Sequence, residues 1–441
     1  MKKQMQNIFE KATQALEGTK DSKTKLKIVE QWSDIILQQI YLLDDELWKK
    51  EFEESIYRFL IEAFSFDFLK MPSYCALCGL YLHQICLTLQ KKWEKIFDYR
   101  LKKDNIVLRI FKKTFTLKLT PFNRFFVRHF LHFKNDIDLV YLWCDNNDAK
   151  WRQKRLKALK KFCPNASAYA SNQCRFVDND ELRRSLRSAR IYAPWIHKIY
   201  IITDGQIPKW LKTSNKKIKV IDHKDIIAKE YLPTFNANVI ESSIHHIKGL
   251  SEYFLFSNDD TFFGQPVKKD FFFSADGKPY ARLHKMPSIF KIVESTYLKL
   301  IVYMSYLHKK HGGKTYLLNP HHNIDAYTKS IFEDMEKTFA DKLKKWRKNH
   351  FRTDHDFHRV VVYYQALDHK NAILKPISSQ VYKSIDSMVL RLERKDIYQN
   401  LKTYRPKLFC INDNENATDK DRKNIRKLYQ KLFPHKSSFE K

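Results

Sequence analysis

Glycine is scarce in this chain, with only 8 in 441 residues, and neither GxGxxG nor GxxxxGK[ST] occurs. That absence excludes the glycine-rich loops that cradle phosphates through bare backbone. A phosphorylated ligand must therefore be held by side chains or by a metal. Acidic residues are outnumbered, with 50 Asp and Glu against 81 Lys and Arg and a formal net charge of +31. Such a field favours anionic partners. No helix-turn-helix, zinc-finger spacing or aromatic RNA-binding signature accompanies it, so a specific nucleic-acid reader is not expected. Long apolar runs are missing too. The most apolar stretch runs only from 74 to 89 and contains His83 and Gln84. A membrane span needs about 20 residues, so this stretch reads as a buried helix. The charged, amphipathic start, Met1-Lys-Lys-Gln-Met, is unlike a signal peptide. Cysteine is limited to seven scattered residues, an odd number that reads as reduced cytosolic thiols. The lone Cys75-Ala-Leu-Cys78 has no second pair and reads as structural.

What the chain does have is a set of apolar strands that end in acids. Ile137-Asp-Leu-Val-Tyr-Leu-Trp143 runs into Cys144-Asp-Asn-Asn-Asp148. Lys198-Ile-Tyr-Ile-Ile-Thr-Asp204, Ile218-Lys-Val-Ile-Asp222 and the run from Tyr253 to Asn258-Asp-Asp260 repeat the pattern. Helical stretches separate them, and one opens at Glu181 with Leu182, Leu186 and Ala189 on one face. Strands alternating with helices predict an α/β fold with a mostly parallel, Rossmann-like sheet. Its carboxyl edge, where ligands bind in such folds, would carry an acidic rim. Adjacent acids such as Asp259 and Asp260 repel unless a cation neutralises them, and Mg²⁺ (or Mn²⁺) on a nucleotide phosphate would do so. Four segments are expected: a helical N-terminal region at 1–105, a basic, Phe-rich bridge at 106–136, a nucleotide-sugar-binding core at 137–290, and a helical C-terminal part with tail at 291–441.

The residues also resemble a family. The block at 137–148 resembles the first block of the Stealth proteins, which are capsular polysaccharide phosphotransferases related to the α/β subunit of animal lysosomal-enzyme N-acetylglucosamine-1-phosphotransferase. The second block resembles Arg175-Phe-Val-Asp-Asn-Asp-Glu-Leu-Arg183, Tyr192-Ala-Pro-Trp195, Ile201-Ile-Thr-Asp-Gly-Gln206 and the stretch from Gly249 to Gly264. The third is similar to His322 through Arg352 and Tyr364, and the fourth to Cys410-Ile-Asn-Asp-Asn414, closing at Phe439-Glu440. The chain departs from the family at Asn146, where Gly is usual, and at Asn323-Ile324, where Pro normally follows two residues after the His. His321 therefore stands as the neighbouring alternative to His322.

The resemblance implies a glycosyltransferase-type fold. It also implies transfer of hexose-1-phosphate, commonly N-acetylhexosamine-1-phosphate, from a UDP-sugar to a hydroxyl of a capsular or other surface polysaccharide. UMP would leave and a phosphodiester would remain. The competing reaction is ordinary metal-dependent glycosyl transfer. On this reading Asp145, Asp148, Glu181, His322 and Arg352 are catalytic. Arg183, Arg187, Asp204, Gln206, Asn258, Asn412 and Asn414 bind substrate, and Asp259 and Asp260 hold the metal. The expected location is cytoplasmic, with any membrane or capsule-machinery contact peripheral and made through basic surface.

Overall fold

The computed structural model describes residues 2–17, scattered positions between 19 and 35, most of 97–118, and 132–441 apart from 165–171, 288–290, 293–294, 354 and 377–385. The CxxC and the apolar stretch at 74–89 lie outside the described residues. The chain divides into two compact units, one of residues 1–135 with 273–277 and one of 136–272 with 278–441.

The first unit holds helix α1 (Lys2–Glu17) and an antiparallel sheet of β1 (Phe97–Lys102), β2 (Asn105–Ile110) and β3 (Lys113–Lys118). Helix was expected up to residue 105, whereas β1 is a strand, paired from Phe97↔Ile110 to Lys102↔Asn105. β-branched and aromatic residues in Asn-Ile-Val-Leu-Arg-Ile and Lys-Thr-Phe-Thr-Leu-Lys favour the sheet.

The second unit is built on a five-stranded sheet. Its strands are β4 (Ile137–Leu142), β5 (Ile199–Thr203), β6 (Ile218–Asp222), β7 (Tyr253–Asn258) and β11 (Asp325–Thr328), in the order β11-β7-β4-β5-β6. The first four are parallel, as expected, and β11 joins the edge antiparallel. Helices α2 (Ala149–Phe162) and α3 (Glu181–Tyr192) connect β4 to β5. Leu182, Leu186 and Ala189 are buried, so the apolar stripe of α3 faces the core. The chain moves outward from β4 to β5 and β6, then returns to lay β7 on the other side of β4. That reversal creates a crevice at the carboxyl ends of β4 and β7, the usual ligand position in open α/β sheets.

Further short strands complete the unit: β8 (Thr261–Phe263), β9 (Tyr280–Lys285), β10 (Leu318–Pro320), β12 (Ile373–Pro376), β13 (Ser387–Arg391) and β14 (Leu408–Asn412). They form two small sheets, β10-β9-β12 and β13-β14-β8. The span 291–370, expected to be helical, is interrupted by β10 and β11. Each is too short for periodicity to register, and each forms because an existing sheet edge pairs with it. The helices α4 (Thr296–Lys310), α5 (Lys329–Thr338) and α6 (Val360–Asp368) pack on the main sheet, burying Met304, Phe332 and Val361 with Phe254 and Phe256. Tyr327 of β11 stacks on Tyr363 of α6 with ring centroids 4.6 Å apart. A last helix, α7 (Asp419–Leu432), follows β14. Among the described residues, no helix is long and apolar enough to cross a membrane, and Cys144, Cys163, Cys174 and Cys410 are free thiols.

Candidate active site

The crevice at the sheet's switch point is a cleft of about 540 Å³. The loop after β4 contributes Trp143 and Cys144, the tip of β7 contributes Asn258, Asp259 and Asp260, and α3 contributes Glu181 from its first turn. His322 enters from the residues before β11, Arg352 from the loop before α6, and Asn412 and Asn414 from the end of β14. The β14 end is held there by the small sheet: β8 follows β7 directly, Thr261 pairs with Cys410, and Ile411 N–H donates to Asp260 O at 3.1 Å. Eight of the residues singled out from sequence therefore meet around one cavity.

The centre of the cleft is acidic. Asp259 is half-buried beside the space it lines. Burial, with the carboxylates of Asp260 and Asp178, raises it well above the usual carboxylate range. Glu181 is buried and shifted strongly upward, by burial first and then by Asp259 and Asp178. Its carboxylate accepts from Asn179 N–H. Asp260 Oδ1 is buried with no hydrogen-bond partner. Clustered acids with an orphaned oxygen fit a cation. Burial keeps the Cys410 thiol protonated, and it donates to Asp260 Oδ2 at 3.3 Å. With the thiol protonated, the possible ligands here are carboxylate oxygens with the His322 nitrogen beside them, a set that fits a divalent ion such as Mg²⁺ or Mn²⁺.

Next to the acids stands a mobile-proton group. His322 Nε2 lies 3.7 Å from Asp260 Oδ2 and 3.5 Å from Asn258 Nδ2, with 36% of its side chain exposed. His321 instead points into the protein, with Nδ1 2.8 Å from the Ser387 hydroxyl. The structure thus places His322, not His321, in the cleft. Arg352 and Arg391 add positive charge to the lining, and neither has a carboxylate partner among the described residues. Asn414 donates to Glu393 Oε2 at 2.6 Å, and its own oxygen accepts from Asn416 N–H. It therefore shapes the turn, and Asn412 is the freer amide.

Six expected site residues take other positions. Asp148 caps α2, accepting from Lys150 and Trp151 N–H. Asp145 accepts from Asn147 N–H, and Gln206 staples the same loop by accepting from Asp145 N–H at 3.0 Å and donating to Asp145 O at 2.8 Å. Asp204 is held by Lys154 at 2.6 Å and accepts from Trp151 Nε1 at 3.1 Å. These four set the loop and Trp151, which lines the cleft, without lining it themselves. Arg183 and Arg187 were expected on phosphate. Instead Arg187 forms a buried, two-pronged pair with Glu440 at 2.8 Å and donates to the carbonyls of Phe433 and Pro434. Arg183 Nε reaches the same Glu440 at 2.6 Å. The Arg187 guanidinium is committed to the tail, whereas Arg183 gives only its Nε to Glu440, and neither lines the cleft.

Other lining residues carried no sequence signal. Trp143, Trp151, Phe235 and His223 also line the cleft, and the rings of Trp151 and Phe235 meet edge-on with centroids 5.5 Å apart. His223 is buried and held neutral, with burial pushing it down to about 4, and its Nδ1 has no partner.

Fold and cleft together define an α/β transferase-type enzyme whose cleft carries acids, arginines and a histidine. Two stretches match known family regions, residues 175–281 as Stealth protein CR2, conserved region 2, and residues 399–441 as Stealth protein CR4, conserved region 4. The chain is 32% identical over 300 residues to the capsular polysaccharide phosphotransferase fcs1 of Haemophilus influenzae, covering 64% of this chain and 79% of that one. It is also 32% identical over 351 residues to the exopolysaccharide phosphotransferase cps2G of Lactiplantibacillus plantarum, covering 71% of this chain and 100% of that one. Among solved structures, the galactosyltransferase LgtC aligns over 68% of this chain and 95% of that one at 9% identity, with a TM-score of 0.35, too distant to inform the activity. The chain belongs to the Stealth family, and it is a phosphotransferase.

Proposed function

We propose that the enzyme moves hexose-1-phosphate from a UDP-sugar to a hydroxyl of a capsular or other surface polysaccharide, releasing UMP and leaving a phosphodiester. One observation carries this reading: the cleft of a Stealth-family chain brings paired acids, two arginines with no carboxylate partner among the described residues and a half-buried histidine to one place. Attack at the donor's β-phosphorus needs those three things: a site for the diphosphate charge, cations for the transferring phosphoryl oxygens, and a proton acceptor for the incoming hydroxyl.

His322 takes the hydroxyl proton at Nε2, and Asp260 beside it stabilises the imidazolium that results. Arg352 and Arg391 face the charge that builds on the transferring group. Asn258 and Asn412 offer amides to sugar hydroxyls or phosphate. Glu181, whose carboxyl is shifted strongly upward by burial and by Asp259 and Asp178, stands beside the acids. Asp259 and Asp260 would hold Mg²⁺ or Mn²⁺, which would neutralise the donor's diphosphate. The aromatic lining of Trp143, Trp151 and His223 excludes water and suits a planar base. The basic surface attracts an anionic polymer acceptor.

Incubation with a panel of UDP-sugars and a polysaccharide acceptor, scoring UMP against UDP, tests the reading. UMP release with a new phosphodiester ³¹P signal in the polymer is expected. UDP release with no such signal means glycosyl transfer at the anomeric carbon instead.

A further inference from the structure

Apart from the residues that line the cleft, a second cluster of metal-ligating groups joins a 3₁₀ turn (Ile244–His246) to helix α5. Nε2 of His245 and Nε2 of His246 converge on the same oxygen, Glu336 Oε2, at 2.5 and 2.9 Å. The two rings lie 4.2 Å apart between centroids. Arg347 Nη1 holds the other oxygen, Oε1, at 2.7 Å.

The tautomers make this arrangement informative. His246 Nδ1 lies 3.0 Å from the carbonyl of Ile226. A carbonyl only accepts, so Nδ1 carries the hydrogen and Nε2 is the nitrogen that His246 turns to Glu336. His245 is buried, and its Nδ1 has no partner among the described residues. A backbone carbonyl on one ring and a guanidinium on the carboxylate are the supports that orient ligands around a metal. Two imidazole nitrogens and one carboxylate oxygen, with one side open to solvent at the partly exposed His246, match the donor set of a zinc-type cation and not of magnesium.

The geometry points to a Zn²⁺-class site formed by His245, His246 and Glu336, separate from the cleft. Bound there, the ion pins the turn that leads into β7 to helix α5, and so fixes the strand whose tip carries Asn258, Asp259 and Asp260.

The test uses the full chain. Wild type, His246→Ala, Glu336→Gln and His322→Ala are loaded with zinc and then dialysed against metal-free buffer. Bound zinc is measured by elemental analysis, Tm by calorimetry, and tetrahedral Co²⁺ absorption after metal exchange. Wild type and His322→Ala should keep an equimolar amount of zinc and gain Tm from it. His246→Ala and Glu336→Gln should lose both the zinc and the cobalt spectrum. His246 is partly exposed, so its variant decides the matter if Glu336→Gln does not fold. No retained zinc in wild type means that a proton on His246 satisfies the contact and overturns the proposal. Equal zinc in His246→Ala, or loss confined to His322→Ala, overturns it as well.

Discussion

His322 and Arg352 both line the cleft. Each should act where protons and charge move, so removal should lower kcat more than it raises donor KM. His322→Ala is expected to cost about 10²–10⁴-fold in kcat, and Arg352→Ala a comparable factor. If both act on one step, the double variant should be little worse than the worse single one. Steady-state kinetics on folded variants check this; a His322→Ala enzyme with near-normal kcat would remove it as the base. The acids at the tip of β7 were legible in sequence because an apolar run stops abruptly at Asn258-Asp259-Asp260. His223 and Trp151 were not. A single buried histidine and a tryptophan on a helix look like ordinary core until the sheet brings them to one cavity.

Helix ends and long-range clamps explain where the element-level reading went astray. Asp148 looked like a site acid because it follows a strand, yet it caps α2. Asp148→Ala should therefore lower stability slightly through the lost cap and leave kcat nearly unchanged, measurable by thermal unfolding beside an activity assay. Arg187 looked like a phosphate ligand because α3 begins close to the cleft. Its partner Glu440 lies 253 residues away in sequence, beyond anything local pattern can show. Burial pushes the Glu440 carboxyl up, but donations from Arg187, Ser437 N–H and Arg183 outweigh it and bring it down to about 2. A carboxyl lowered on folding stabilises the native state above its unfolded pKa, near 4.3, and that stability drains away as pH falls through the folded value. Glu440→Gln should flatten this loss between about pH 5 and 2. It should also cost about 3–5 kcal/mol at neutral pH, because a buried guanidinium is left without its partner. Denaturant unfolding across pH checks both signs. An unchanged acid limb would mean that the clamp between the two family-matched regions contributes nothing.

For the whole molecule, the parallel core was readable because four apolar runs alternate with helices. The strands that complete the cleft, β8, β11 and β14, were not readable as a group. They are short, and they form only against edges already in place. Division of the chain at Asn135 puts every cleft residue in the second unit. Removing residues 1–105 should accordingly leave donor binding intact in a folded protein, measured by calorimetric titration with UDP-sugar. A folded truncation that no longer binds donor would move part of the site into the first unit. Chelation should stop turnover and Mg²⁺ or Mn²⁺ restore it, since the acids around Asp260 need a counter-cation; full activity in EDTA would reassign them.

The reaction itself turns on which bond of the donor breaks. A UDP-sugar labelled with ³²P only in its β-phosphate separates the two chemistries in one experiment. Attack at the β-phosphorus carries the label into the polysaccharide and leaves unlabelled UMP, and the polymer should become radioactive in step with UMP release. Label remaining wholly in UDP while sugar enters the polymer would contradict phosphotransfer by this cleft.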